Sequence, residues 1–235
     1  MVPVRSGRTY LSLKDVLRRC GKGLLYLVFS FLFSGILYGQ AVGDYQTIGD
    51  VNFVSNANWE VYGGFGWSAA VVPPTSADGV ITIQNGHTAT VTASVTLDQV
   101  VVQGAGALTV NGGATLTIAN SQAFDLDVYG TVNNAGGITP TGNIRFRGSS
   151  TYNHTRDGGT VPAANWNINS NCNITGVTDI APTGFNQTFG YLTWNCPGQN
   201  GRIYLQSNIT ILSDFTVLAT GPSLVPVSYT HLRAH

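Results

Sequence analysis

Between Val42 and Pro226 the chain has no lysine, and its only strong cations are Arg145, Arg147, Arg156 and Arg202. Against these four stand ten acids, Asp44, Asp50, Glu60, Asp78, Asp98, Asp125, Asp127, Asp157, Asp179 and Asp214, so the stretch carries a net charge of −6. A nucleic-acid binder neutralises phosphates with a cationic surface, and attachment to anionic lipid uses the same kind of charge. The first class is excluded for this region and the second is disfavoured. The zero formal charge of the whole chain conceals the imbalance, because Arg5, Arg8, Lys14, Arg18, Arg19 and Lys22 are gathered at the start.

Cysteine is scarce too. Beyond Cys20 only Cys172 and Cys196 occur, with none of the CxxC spacing of a metal or redox site. Helical periodicity is missing after position 41, so almost no helix is expected. Gly104, Gly106, Gly112 and Gly113 are not followed by the Lys-Ser/Thr of a phosphate loop. No residue constellation reads as a catalytic centre, a metal site or a cofactor site.

The first 41 residues differ from the rest. A basic stretch leads into the uncharged apolar run Leu24 to Leu37, and Gly39-Gln40-Ala41 offers small residues at −3 and −1 of a cleavage site. This is the pattern of a secretory signal peptide. The run of 14 residues is short of the roughly 20 a bilayer span needs. Residues 1–41 are therefore expected to direct export, with no membrane span after cleavage and a secreted or cell-surface location.

The dominant signal from there on is alternation with a period of two. Ten apolar pairs flank a single residue: Ile81/Ile83, Val95/Leu97, Val100/Val102, Leu108/Val110, Leu116/Ile118, Leu126/Val128, Ile144/Phe146, Ile203/Leu205, Ile209/Ile211 and Phe215/Val217. Such pairs place one face inside and one outside a strand. Thr, Val, Ile and aromatic residues favour strands, while Gly and Asn favour the turns between them. The strands are short, and similar words such as ALTV and ATLTI follow closely. Quasi-repeats of this kind favour a stacked solenoid over a sandwich of longer hairpins. The fold expected is all-β: a right-handed parallel β-helix over 80–226, with coils of roughly 17 to 25 residues.

Residues 42–79 read as a separate N-terminal segment. Trp59-Glu60-Val61-Tyr62, a turn holding Gly63, Gly64 and Gly66, and then Trp67 describe an aromatic hairpin. A cap over the solenoid's open end is one reading, since exposed edge strands need covering. An aromatic platform for a sugar ring, with Trp59, Tyr62 and Trp67 as its contacts, is the other.

Further along, Asp125 and Asp127 alternate and are expected to face outward about 7 Å apart. Two facing carboxyls are what glycoside hydrolysis uses, but a solvated strand face accounts for this pair. Arg145 and Arg147 flank Phe146 and also point outward. They suit either neighbouring acids or an acidic polysaccharide held through paired hydrogen bonds. His87 and His154 fall in polar turns, without the further ligands of a metal site. Cys172 and Cys196 are 24 residues apart in similar words, Asn171-Cys172-Asn173 and Asn195-Cys196-Pro197. If that distance is one coil, they stack in adjacent rungs, either as a disulfide or as two reduced core thiols. Four Asn-x-Thr sequons, at Asn153, Asn173, Asn186 and Asn208, are read as structural Asn and Thr.

The run WEVYGGFGW…PPTSADGVITIQNGHTATVTASVTLDQVVV, followed by GALTVNGGATLTI, GGTVPAANWNINSNCNITG and FNQTFGYLTWNCPGQ, resembles large secreted repeat proteins of Bacteroidetes-type bacteria. The resemblance covers roughly 44–220. It implies a β-helix, export linked to the type IX secretion route and, in many cases, no assigned activity. The last nine residues, Val227 to His235 (VSYTHLRAH), resemble a translated sequencing adapter. The native part of this sequence is accordingly expected to stop near Pro226, with the repeat domain truncated there and the gene continuing, which leaves 227–235 outside the fold. Together these readings give a non-catalytic structural or adhesive β-helical stalk. The alternative is a carbohydrate-binding module, or a non-catalytic part of a polysaccharide-degrading enzyme, with extracellular polysaccharide as the partner.

Overall fold

A computed structural model describes residues 39–222 other than Gln122, Gln206 and Ser207. The expected signal peptide, apart from Gly39-Gln40-Ala41, and the adapter-like tail lie outside the described residues. Among the described residues there are 21 strands and no helix. None exceeds five residues, as expected where corner residues interrupt each run: β1 (Tyr45–Thr47), β2 (Val51–Asn52), β3 (Trp59–Tyr62), β4 (Trp67–Ala69), β5 (Ile81–Ile83), β6 (Thr88–Val91), β7 (Val95–Leu97), β8 (Val100–Val102), β9 (Ala107–Val110), β10 (Thr115–Ile118), β11 (Leu126–Val128), β12 (Thr131–Asn134), β13 (Gly137–Pro140), β14 (Ile144–Phe146), β15 (Thr151–His154), β16 (Asn165–Trp166), β17 (Asn171–Ile174), β18 (Thr188–Phe189), β19 (Tyr191–Asn195), β20 (Thr210–Ile211) and β21 (Phe215–Ala219).

The strands wind into a parallel β-solenoid. One face is the ladder β2-β6-β9-β12-β15-β17-β19-β21, parallel throughout. A second face runs β1-β5-β8-β11-β14-β16, also parallel, and β7-β10-β13 forms a third. Coil length follows from the register. Val132, Tyr152, Cys172 and Leu192 are successive neighbours, so three consecutive coils take 20 residues each.

Inside, like positions pile into columns. Ile81, Val100, Leu126 and Ile144 stack on one face. Ala89, Leu108, Val132, Tyr152, Cys172 and Leu192 stack on another, all of them buried. A fully buried Leu, Ile or Val contributes about 1.5–3 kcal/mol from area removed from water. One coil buries little of this by itself, so each depends on its neighbours. Aromatic residues continue the column: Phe146 and Trp166, one rung apart, stack with centroids 4.2 Å apart and planes 7° from parallel.

The corners are built from residues that leave no room for bulk. Gly106, Gly130, Ser150, Ser170 and Gly190 each immediately precede a strand of the longest ladder. A Cβ on Gly130 would run into the carbonyl oxygens of Gln103 and Gly106. Ser150 and Ser170 are buried, and each donates its hydroxyl to a backbone carbonyl three residues back, Arg147 O and Asn167 O, at 2.7 Å. Gly113 turns the chain between β9 and β10 at φ 83°, a left-handed conformation that glycine adopts without a Cβ penalty.

The ladder begins at Tyr45, because β1 pairs in parallel with β5 and β2 with β6. Residues 42–79 thus contribute two strands to the solenoid's ladders, together with an insertion. The insertion is the aromatic hairpin: β3 pairs antiparallel with β1 and with β4, which puts β4 at the end of that sheet. The last three of the ten apolar pairs close the column more loosely: Ile203 is buried, Leu205, Ile209, Ile211 and Phe215 are partly buried and packed against the core, and Val217 is exposed in the terminal strand of its ladder.

Candidate functional site

The strongest concentration of charge lies on the outward face of the sheet containing β11 and β14. The register sets Asp127 directly beside Arg145, a favourable opposite-charge pair across adjacent strands. Arg147 follows one residue past the end of β14 and reaches the same carboxylate. Arg145 donates from Nε at 3.0 Å and Nη2 at 2.7 Å, and Arg147 from Nε at 2.8 Å and Nη2 at 2.9 Å. Two forked pairs therefore converge on one carboxylate, the geometry in which guanidinium binding is strongest and best oriented. Partial burial pushes the Asp127 carboxyl up. Hydrogen bonds from Arg147 and Arg145, together with their charges, outweigh this and hold it below its usual value.

Aromatic rings flank the pair. The guanidinium carbon of Arg145 lies 3.5 Å from the Phe124 ring centre, and that of Arg147 lies 4.9 Å from Tyr129, which is 43% exposed. Cation–π attraction favours both placements. Next to Arg145 in the following rung is Asn165. Asn165 also lines a groove of about 290 Å³ with Pro140, Gly142, Asn143, Ile144, Ala163 and Ala164. A second groove, of about 340 Å³, is lined by Asp179 to Thr183, Phe185, Arg202, Ile203 and Tyr204.

The structure corrects several residue readings. Asp125 does not share the outward face with Asp127. It sits just before β11 at a corner, fully buried, and its two oxygens accept from Ser121 N at 3.0 Å and Asn143 N at 2.7 Å. The alternation stops where the strand stops, so the two acids do not face one ligand. Trp59 cannot belong to a sugar platform: it is 1% exposed and packs against Tyr45 and Phe53. Tyr62 and Trp67 lie edge to face with centroids 5.4 Å apart and remain partly exposed on the hairpin. His154 is in β15 rather than in a loop, and it is fully buried. His87 sits at a turn as read, with Nδ1 2.8 Å from the hydroxyl of buried Thr47.

The cysteines are not rung neighbours. Cys172 is adjacent to Tyr152 and Leu192, and Cys196 lies four residues past Leu192. The coil there takes 20 residues and not 24, which offsets the two sulfurs. Both are free and buried, and burial pushes both thiols up.

Two features escaped sequence reasoning. Tyr152, His154 and Asn134 form a hydrogen-bonded group inside the column: Asn134 Nδ2 donates to the Tyr152 hydroxyl at 3.0 Å, and that hydroxyl lies 3.2 Å from His154 Nδ1. Outside, Asn133, Asn153 and Asn173 form an amide ladder over three rungs. Asn173 donates to Asn153 at 3.0 Å, and Asn153 to Asn133 at 2.8 Å. Two sequon asparagines are thereby in structural use. The recurrence of Asn at equal offsets in TVNN, TYNH and NCNI was the signal for the ladder. Among the described residues, no three His, Cys, Asp or Glu side chains are gathered to hold a metal ion.

No family model, curated protein or solved structure matches the chain.

Proposed function

We propose that the chain is a non-catalytic structural element of an exported protein: a β-solenoid stalk that holds a polar, largely uncharged surface at the cell exterior or in a secreted matrix. The observation that carries this reading is the parallel ladder of eight strands, with apolar columns inside and Thr and Asn rows outside. A stack of this kind transmits load through many backbone hydrogen bonds at once, and its repeated outward side chains suit weak contacts made many times over. The basic stretch and apolar run before Gly39-Gln40-Ala41 support export. The hairpin β3–β4 extends the sheet beyond β1, which supports a capping role there.

The test is surface labelling of intact bacterial cells that express the full chain, alongside a version lacking residues 1–41. External labelling that depends on 1–41 is the expected result. Retention of the full chain inside the cell overturns the reading.

A further inference from the structure

We propose that β4 is an interaction edge on which a second copy of this chain pairs antiparallel, about a twofold axis through Ser68. This goes beyond the stalk role, and its failure leaves the test of export untouched.

The hairpin covers β1 without abolishing the edge of that sheet. β4 pairs with β3 and with no other strand among the described residues. Val61 and Ser68 are register partners, and on either side of them Gly63 N donates to Gly66 O and Ala70 N to Trp59 O. Hydrogen-bonded and non-hydrogen-bonded pairs alternate in an antiparallel ladder, so the backbone groups of Trp67 and Ala69 point away from β3. Open edges of this kind invite another strand, and proteins protect them with charged side chains, proline or bulges. β4 has none of these: its pairing with β3 is regular, and no charged residue occurs from Val61 to Ala77. The neighbouring acid, Glu60, is drawn toward β1 by Gln46, whose Nε2 donates to it at 2.8 Å. Two copies of a region with a net charge of −6 repel one another through their acids. The uncharged hairpin edge is where they approach without that repulsion.

A second copy suits this edge because the edge complements itself. Antiparallel pairing centred on Ser68 sets Trp67 opposite Ala69 of the second copy, large against small, with both backbone hydrogen bonds of that pair made. The twofold axis repeats the arrangement, as a self-complementary interface requires. Just beyond the strand ends, the same register brings Phe65 opposite Val71 of the second copy. Phe65 is 106% exposed and Val71 85%, the two highest values for large hydrophobic side chains among the described residues. Pairing takes both out of water. Main-chain hydrogen bonds thus supply the attraction, and the side chains set the register.

The experiment is sedimentation equilibrium of the full chain over a range of concentrations, with disulfide trapping as an independent readout. The wild type is expected to move from the single-chain mass toward twice that mass as concentration rises. Ala69→Lys puts a charge on the edge, and Phe65→Ser removes an apolar contact at an exposed position. Each is expected to weaken association at least about tenfold, with a thermal melt to show that the fold is kept. Across the axis Ser68 meets Ser68 of the second copy in a non-hydrogen-bonded pair, with Cα atoms about 4.5 Å apart, a separation that a disulfide spans. In a Cys20→Ser background, Ser68→Cys is expected to give a covalent dimer on mild oxidation. Thr117→Cys, on the outward side of β10, is expected to give none. Cys172 and Cys196 are buried and do not compete. A single-chain mass at every concentration, undiminished association of both folded variants, or no more trapped dimer from Ser68→Cys than from Thr117→Cys overturns the proposal.

Discussion

Lowering the pH is expected to weaken the solenoid through one buried group, His154. Its ring is assigned by its partners. Nε2 lies 2.7 Å from the carbonyl oxygen of Gly158, which can only accept, so Nε2 carries the proton. Nδ1 is then the acceptor from the Tyr152 hydroxyl, which itself accepts from Asn134. A second proton on Nδ1 would aim a donor at a hydroxyl already donating to it, and would place charge in a column away from water. Burial holds the His154 pKa below its ordinary value; the Gly158 carbonyl opposes this, and the nearby Arg156 charge adds to the depression. The folded state therefore binds fewer protons than the unfolded one below about pH 6.5. The contribution is complete above that value and is lost as pH falls toward the folded-state pKa. The slope approaches about 1.4 kcal/mol per pH unit for one proton. Asp127 and Asp157 have lowered pKa values as well, but carboxylates of that kind titrate below about pH 4, outside this window. Urea unfolding followed by tryptophan fluorescence between about pH 7.5 and 5 measures the slope in the wild type and in His154→Gln. The variant is expected to be less stable at neutral pH but to lose most of the acid slope. An unchanged slope refutes the assignment.

Two further outcomes are expected. Leu116→Ala, in a fully buried column position, should cost about 2–5 kcal/mol through lost burial and a cavity. Thr117→Ala, beside it on the outward side, should stay within about 0.5 kcal/mol, both measured by denaturant titration. Cys172 and Cys196 should resist a thiol reagent in the folded protein and react fully once it is unfolded, because the thiolate is the reactive form and burial suppresses it. Rapid modification of the native protein would contradict their placement.

The fold class was legible because many inward pairs are aliphatic and leave a period-two signature, as in Ile81/Ile83 and Leu116/Ile118. The longest ladder was only half legible. Its inward pairs become Val132/Asn134 and Tyr152/His154, where a buried polar residue finds a hydrogen-bond partner, Tyr152 of the next rung for Asn134, and Tyr152 and Gly158 O for His154. A pattern of hydrophobicity does not register such a partner. Asp125 was misplaced for a related reason: its neighbour Leu126 begins a strand, but its own position is a corner, where the carboxylate serves backbone N–H groups. The ion pairs of Arg145 and Arg147 were open in sequence, and the register settled them by bringing Asp127 alongside from 18 residues away. The 24-residue cysteine interval suggested a coil that the 20-residue register does not have.

The stack itself is tested most directly by distances along one outward column. Thr90, Thr109, Asn133, Asn153, Asn173 and Thr193 are successive register neighbours. Spin labels at Thr90 paired in turn with Asn153, Asn173 and Thr193 are expected to report backbone separations near about 14, 19 and 24 Å, rising by one strand spacing per rung. Separations that fail to grow with each added coil would contradict the parallel solenoid.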